Sequence, residues 1–302
     1  MTYSIVARDP LTGELGVAVQ TRWLAVGAGV PWVEPGVGAV ATQSFVEEAY
    51  GPRLLERLRA GRPPDEALAA LLAADPGADV RQVGVVDGLG RAAAHTGARC
   101  VAEASHLVRE GLACQANMME RPTVPAAMAA AYDTAAAAGD DLPDRLMAAL
   151  RAAEAEGGDI RGRQSAAILI SGRPGDPAWR RRFDLRVDDH PTPLDELARL
   201  LRLARAFEAL EAADAALAAG DRAAASEQYR TAIELAPGDD QAVLMAAQGL
   251  AELEGADAVR SLAAAAMAAN PRWREFARRF TAAGHGPPPP EDFLPEELVE
   301  PG

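Results

Sequence analysis

The strongest constraint on this chain is the order in which two residue periodicities alternate over its first 190 residues. Short β-branched runs of period 2 come in groups, and amphipathic stretches of period 3.6 come in pairs. Residues 4–8 and 16–21 are strand runs joined by Asp9-Pro10-Leu11-Thr12-Gly13, which predicts a hairpin. Another strand is expected at 37–43, after glycine-rich 27–36. Helices follow at 47–60 and 64–74, the second opened by prolines and stopped by Asp75-Pro76-Gly77. A second hairpin is expected at 82–87 and 91–95, then a strand at 112–117, helices at 124–138 and 143–156, and strands at 165–171 and 183–187. Antiparallel strand groups separated by helix pairs do not fit a doubly wound parallel sheet. They predict an α+β fold: a four-layer αββα sandwich, its strands rich in Val, Ile and Ala because each sheet is covered twice.

After Thr192 the pattern is helical and alanine-rich. Pro237 and Pro271 stand 34 residues apart, the tetratricopeptide period. Tyr229, Ala232 and Pro237 in one copy align with Ala263, Ala266 and Pro271 in the next, and small Ala225 aligns with Val259. Two tetratricopeptide-like units are expected, flanked by helices at 193–206, capped by Thr192 with Asp195 three residues on, and at 272–283. The expected organisation is the αββα sandwich domain at 1–192, an all-α tetratricopeptide-like domain at 193–284, and a disordered, acidic, proline-rich tail at 285–302.

Charge removes whole classes of function. Forty-four acids oppose thirty bases, giving −14, and every base is arginine. An acidic chain is a poor binder of phosphate backbones, so no nucleic-acid partner is expected. Without lysine there is no Schiff base, no Walker phosphate loop and no Ser-Lys dyad. Two cysteines, Cys100 and Cys114, cannot build a disulfide framework, although a single bridge stays open beside a pair of free thiols. No apolar run is long enough to span a bilayer, and the N-terminus enters strand-like sequence without a signal peptide, so a cytoplasmic protein is expected.

Thr2 carries the sharpest chemical reading. If Met1 is removed, a Thr hydroxyl and a free α-amine share the first residue of the first strand. Such an amine titrates at about 7.7–8.0, close enough to neutrality to accept the hydroxyl proton. Many chains begin Met-Thr, so the position alone is weak; combined with the strand and helix order it is specific.

At this point a family resemblance emerges. The segments Thr2-Tyr3-Ser4-Ile5-Val6-Ala7-Arg8-Asp9, Gly13-Glu14-Leu15-Gly16-Val17-Ala18-Val19, Leu24-Ala25-Val26-Gly27 and Gly38-Ala39-Val40-Ala41-Thr42-Gln43 resemble the group known as domain of unknown function 1028. So do Gly84-Val85-Val86-Asp87, Ala93-Ala94-His95-Thr96-Gly97, Gly162-Arg163-Gln164-Ser165 and the stretch ending Asp188-Asp189-His190. The resemblance runs from residue 2 to about 190. It implies the N-terminal nucleophile (Ntn) hydrolase superfamily, an αββα sandwich, and Thr2 as nucleophile by analogy. The expected activity is cleavage of an amide bond in a small amide or peptide through an acyl-enzyme on Thr2, without metal or cofactor. Proteasome-type members keep a lysine beside the threonine; here Arg22, at the end of the second strand, is the candidate cation, or else a solvated strand-end arginine.

Asn117 is the candidate oxyanion donor, with a turn-forming asparagine as the alternative. Ser4, Gln43, His95, Gln164, Ser165 and Asp188 are candidate cleft-lining residues. Asp188-Asp189-His190 reads as an acidic metal or proton-relay cluster or as a plain strand exit leading to the Thr192 cap, and His95, Cys100 and His106 lack metal-ligand spacing. Arg180-Arg181-Arg182 is a solvated run by default, and the Gly27 and Gly36 pairs lack a nucleotide-binding context. The competing reading is a catalytically silent scaffold whose helical repeats engage a protein partner or a second copy.

Overall fold

The computed structural model describes residues 2–284; Met1 and the 285–302 tail lie outside the described residues. Packing divides the chain into two units, Met1–Arg199 and Leu200–Gly302.

The first unit begins with β1 (Thr2–Arg8), β2 (Leu15–Thr21), β3 (Pro31–Glu34) and β4 (Gly38–Ser44), followed by α1 (Tyr50–Arg59) and α2 (Pro64–Leu72). Next come β5 (Arg81–Asp87), β6 (Ala92–Thr96), β7 (Ser105–Arg109) and β8 (Leu112–Asn117), then α3 (Val124–Ala137) and α4 (Leu142–Ala155), and last β9 (Ser165–Ser171) and β10 (Arg181–Val187). Six strands form one antiparallel sheet in the order β10-β9-β2-β1-β8-β7, and four form another in the order β3-β4-β5-β6. The sheets pack face to face, α3 and α4 cover the six-stranded sheet, and α1 and α2 cover the other.

Val6, Val17 and Val19 from one sheet meet Val33, Ala39, Ala41 and Val86 from the other, an apolar seam of small side chains. On the outer face of the larger sheet α4 buries Leu142, Leu146 and Leu150 completely. Each such leucine is worth about 1.5–3 kcal/mol relative to exposure. Asp141 caps that helix by accepting the Asp144 N–H, and Pro143 sits in its first turn.

Two strands, β3 and β7, stand where the sequence predicted none. Both are sheet edges. β3 has four residues and opens on Pro31, tolerable only where no neighbouring strand needs its N–H. β7 is half exposed and mixes Ser, His and Arg with two apolar residues, so its alternation is faint.

In the C-terminal part, α5 (Pro193–Ala218) outruns the expected 193–206, because no glycine or proline interrupts the chain before Gly220. The Thr192 capping box is not the one expected: the Thr192 carbonyl accepts the Asp195 and Glu196 N–H groups, while its hydroxyl lies 3.3 Å from His190 Nδ1. The second unit continues with α6 (Arg222–Leu235), α7 (Asp240–Glu254), α8 (Ala256–Ala269) and α9 (Arg272–Ala282). Asp221 and Asp239 cap α6 and α7. Tyr229 is buried against Gly249, where a Cβ would lie 2.1 Å from its ring, and its hydroxyl donates to Asp214. Among the described residues no helix is long and apolar enough to cross a membrane.

One polar clamp ties α1, the turn after α2 and β5 together. Asp75 accepts from Arg81 Nε at 2.8 Å, from the Gly77 N–H at 2.7 Å and from the Tyr50 hydroxyl at 3.1 Å. The Arg81 bond, reinforced by those from Gly77 and Tyr50, holds the Asp75 carboxyl below its ordinary range, while burial and then Asp75 push Tyr50 up to about 12. An acid with a lowered folded pKa stabilises the fold above its unfolded pKa and loses that contribution as pH falls through the lowered value. Asp75→Asn should therefore cost about 2 kcal/mol near neutrality and flatten the acid limb of the stability profile, read from urea melts across pH.

Candidate functional site

The period-2 alternation of β1 turns Thr2, Ser4 and Val6 toward the opposing sheet and Tyr3 and Ile5 toward α4. Thr2 pairs with Thr21 on β2 and Asn117 on β8, so it opens a strand flanked on both sides. Its hydroxyl lies 3.2 Å from the Thr21 hydroxyl, and the residue is 5% exposed.

Beside it the apolar seam gives way to a network of uncharged amides and hydroxyls. Gln82 of β5 is the hub. Its Nε2 lies 2.8 Å from the Ala116 carbonyl, 3.2 Å from that of Ser105 and 2.9 Å from the Thr96 hydroxyl. Those acceptors fix the amide orientation, leaving Oε1 to accept from Gln43 Nε2 and Asn117 Nδ2, each at 2.8 Å. Gln43 Nε2 also reaches the carbonyls of Thr2 (3.1 Å) and Gln115 (3.3 Å), and its Oε1 accepts the Ser4 hydroxyl at 2.6 Å. Gln115 Nε2 donates to Ser4 Oγ at 2.6 Å. Its side chain fits because residue 84 is glycine: a Cβ there would lie 2.2 Å from Gln115 Oε1.

Two acceptors stay unmatched. Asn117 Oδ1 and Gln115 Oε1 are buried without a hydrogen-bond partner. Each costs about 1–3 kcal/mol if left so.

The chain around this end is strained. Ala25, Ser44 and Met118 are the non-glycine residues with left-handed φ among the described residues, at 54°, 72° and 57°. Ser44 closes β4, Met118 follows β8, and Ala25 lies four residues past β2. Such conformations cost about 1–3 kcal/mol each and concentrate at functional sites. Trp23, Leu24, Phe45, Val46 and Ile160 follow the same strand ends or Asp159 and are all exposed.

The sequence candidates fall into three places. Thr2, Ser4, Gln43 and Asn117 meet in the network. Arg22 and Gln164 lie on the surface beyond Thr21: Arg22 Nη1 donates to Gln164 Oε1 at 3.0 Å, Gln164 Nε2 donates to Asp189, and the Arg22 N–H binds the Asp159 carboxylate. Ser165 and Asp188 serve the backbone of the following turn, Ser165 Oγ between the Trp23 carbonyl and the Val26 N–H, and the Asp188 carbonyl accepting the Ala25 N–H. The Asp188 carboxylate faces solvent. His95 stands apart, its Nε2 2.8 Å from the Ala78 carbonyl. Asn117 spends its amide donor on Gln82 and, at 3.4 Å, on the Thr2 carbonyl.

Gln82, Gln115, Thr21 and Thr96 were missed, and the signal was there: a glutamine inside an otherwise apolar strand run demands a buried partner. Both cysteines are free thiols. Cys114 is buried on the face away from the network, and burial pushes its thiol far above the range of a nucleophile. Among the described residues no three His, Cys, Asp or Glu side chains stand together to hold a metal ion.

The sequence profile of the family of unknown function DUF1028 matches residues 2–197. The chain belongs to this family. A crystal structure of a DUF1028 protein from Silicibacter pomeroyi is similar, with a TM-score of 0.59 and 33% identity over 67% of this chain and 88% of that one. No curated protein matches. The DUF1028 match thus covers β1 through the first turn of α5 and every residue of the amide network.

Gln82→Leu would strand the acceptors and donors it serves, and should lower stability by about 2–4 kcal/mol in a denaturant melt. Ser44→Gly removes both a left-handed side chain and a buried hydroxyl with no partner, and should raise stability by about 1 kcal/mol in the same assay.

Proposed function

We propose that this DUF1028 chain is an Ntn-type hydrolase that cleaves an amide bond with Thr2 once Met1 has been removed. The observation that carries the reading is the position of Thr2: it opens an inner strand of the larger sheet with its hydroxyl turned into the space between two helix-covered sheets. That layering supports the reading, because an αββα sandwich is what the resemblance to the superfamily implies. The strained strand ends and the unpartnered Asn117 Oδ1 at the same level support it.

On this reading the Thr2 amine takes the hydroxyl proton as Oγ1 attacks the substrate carbonyl carbon. The tetrahedral intermediate collapses to an ester on Thr2, and the amine passes its proton to the leaving nitrogen. Water then attacks the ester, activated by the same amine, and releases the acid. Gln43 and Asn117 act as positioning residues through their bonds to the Thr2 carbonyl, and Asn117 Oδ1 offers an acceptor to the amine. Arg22, one residue past the strand partner of Thr2, supplies positive charge at the rim. The exposed Trp23, Leu24, Phe45, Val46 and Ile160 suit a substrate with apolar groups. The setting is cytoplasmic.

The second unit is proposed to be tetratricopeptide-like. Ala225, Tyr229, Ala232, Val259, Ala263 and Ala266, the positions that carry the 34-residue repeat, are all buried. Its role is to engage a protein partner or a second copy. One observation favours the silent-scaffold reading: Thr2 is nearly buried and its hydroxyl is paired with that of Thr21.

Intact mass and a small-amide and peptide screen decide between the two. Loss of Met1, turnover that rises through about pH 7.7–8.0 and survives chelators, abolition by Thr2→Ala and partial retention by Thr2→Ser are expected. A retained Met1, or full activity in Thr2→Ala, ends the nucleophile reading.

A further inference from the structure

The opposite end of β1 carries a second feature. Arg8 closes the strand, and its N–H donates to the Gly111 carbonyl at 2.9 Å, while the Gly111 N–H donates to the Gly90 carbonyl at 2.6 Å. The β5–β6 and β7–β8 turns therefore meet at Arg8. With side chains from α3 and α4 they border a half-open cavity of about 390 Å³.

Three arginines line it, and they are not equivalent. Arg109 is held bidentately by Asp133. Arg145 is largely buried, its Nε donating to the Asp140 carbonyl at 2.6 Å and its Nη1 lying 3.7 Å from Asp9. Arg8 forms no side-chain hydrogen bond or ion pair among the described residues, and its Nε is buried without a partner. No other arginine nitrogen among the described residues is buried without a hydrogen-bond partner. Arg8 is half-buried, and burying its Nε–H without an acceptor is costly; a chain tolerates that cost where a ligand removes it.

The cavity also selects among anions. Its walls carry three arginines against two carboxylates, Asp133 and Glu110, and Asp133 is already engaged. Arg145 in turn lies 3.7 Å from Asp9, which leaves Arg8 as the lining guanidinium to be matched, by a single carboxylate. Pro10 and Leu89, the latter 75% exposed, give the mouth an apolar lip. Tyr132, its phenol pushed up by burial and hydrogen-bonded with Arg145, also lines the wall.

We infer that this cavity is a binding site for a small monocarboxylate with an apolar body, gripped by Arg8. A carboxylate matches the guanidinium fork geometrically, two oxygens to two N–H groups. The site is separate from Thr2 and does not rest on the hydrolase reading.

Calorimetry on the full chain tests it, with 3-phenylpropionate as probe, 3-phenylpropanamide as its uncharged counterpart and inorganic phosphate as the polyanion. Saturable binding of the acid, weakened by added salt and absent for the amide, is expected. Arg8→Met, which keeps the aliphatic stem, should weaken that binding by at least about tenfold. Its melting temperature without ligand should equal or exceed that of the parent, because an unpartnered cation has been removed. Absence of binding, binding undiminished in Arg8→Met, preference for phosphate over the acid, or a sharp fall in the unliganded melting temperature of Arg8→Met would each overturn the site.

Discussion

The first unit depends on how two sheets, each covered by helices, can be locked at one relative position. Apolar surfaces attract without direction, so Val6, Val17 and Val19 against Ala39, Ala41 and Val86 allow the sheets to slide. The Gln82–Gln43–Asn117 network removes that freedom. Its donors and acceptors come from both sheets, and a shift of one residue in either would break several bonds at once. It is uncharged throughout, which avoids the several kcal/mol of desolvation that a buried ion would add. Gly84 makes room for it. Thr2 is placed by this lock, since its carbonyl is one of the acceptors.

Most of the fold was legible because strand groups and helix pairs differ in period, and central strands such as β1, β5 and β9 bury both faces and announce themselves as apolar runs. Edge strands escaped. β3 and β7 satisfy fewer neighbours, so their residues carry less of the pattern. Half of the network was legible too. Ser4, Gln43 and Asn117 stood out as polar residues near strand ends, but Gln82 sits across a sheet boundary that no local window crosses. Arg22 and Gln164, candidates because they lie at a strand end and a strand start, stand next to Thr21, the strand partner of Thr2, yet they bond to one another and Gln164 bonds to Asp189 on the surface. His95 fell on the face of β6 opposite Thr96 and the hub, a matter of one residue in a period of two.

The second unit solves a different packing problem. Alanines at 225, 232, 242, 246 and 247 are buried, and their small side chains let α6 and α7 approach closely. The larger groups are few and are placed where a gap has been left for them. Tyr229 fills the space above Gly249, and Trp273 donates its indole N–H to Asp240 at 2.6 Å, pinning α9 to the start of α7. A core built of alanine has low area per residue, so these two polar-tipped aromatics carry much of its specificity.

β1 is paired along both edges, to β2 through all seven of its residues and to β8 through six. It is therefore a fixed spacer. At about 3.3 Å per residue it holds its two ends roughly 20 Å apart, farther than a small molecule reaches. Sliding it by one residue to couple them would turn Tyr3 and Ile5 into the seam and the Thr2 hydroxyl toward α4. Arg8 and Thr2 are thus the two ends of one rod paired along both sides, too far apart for one small ligand to touch both.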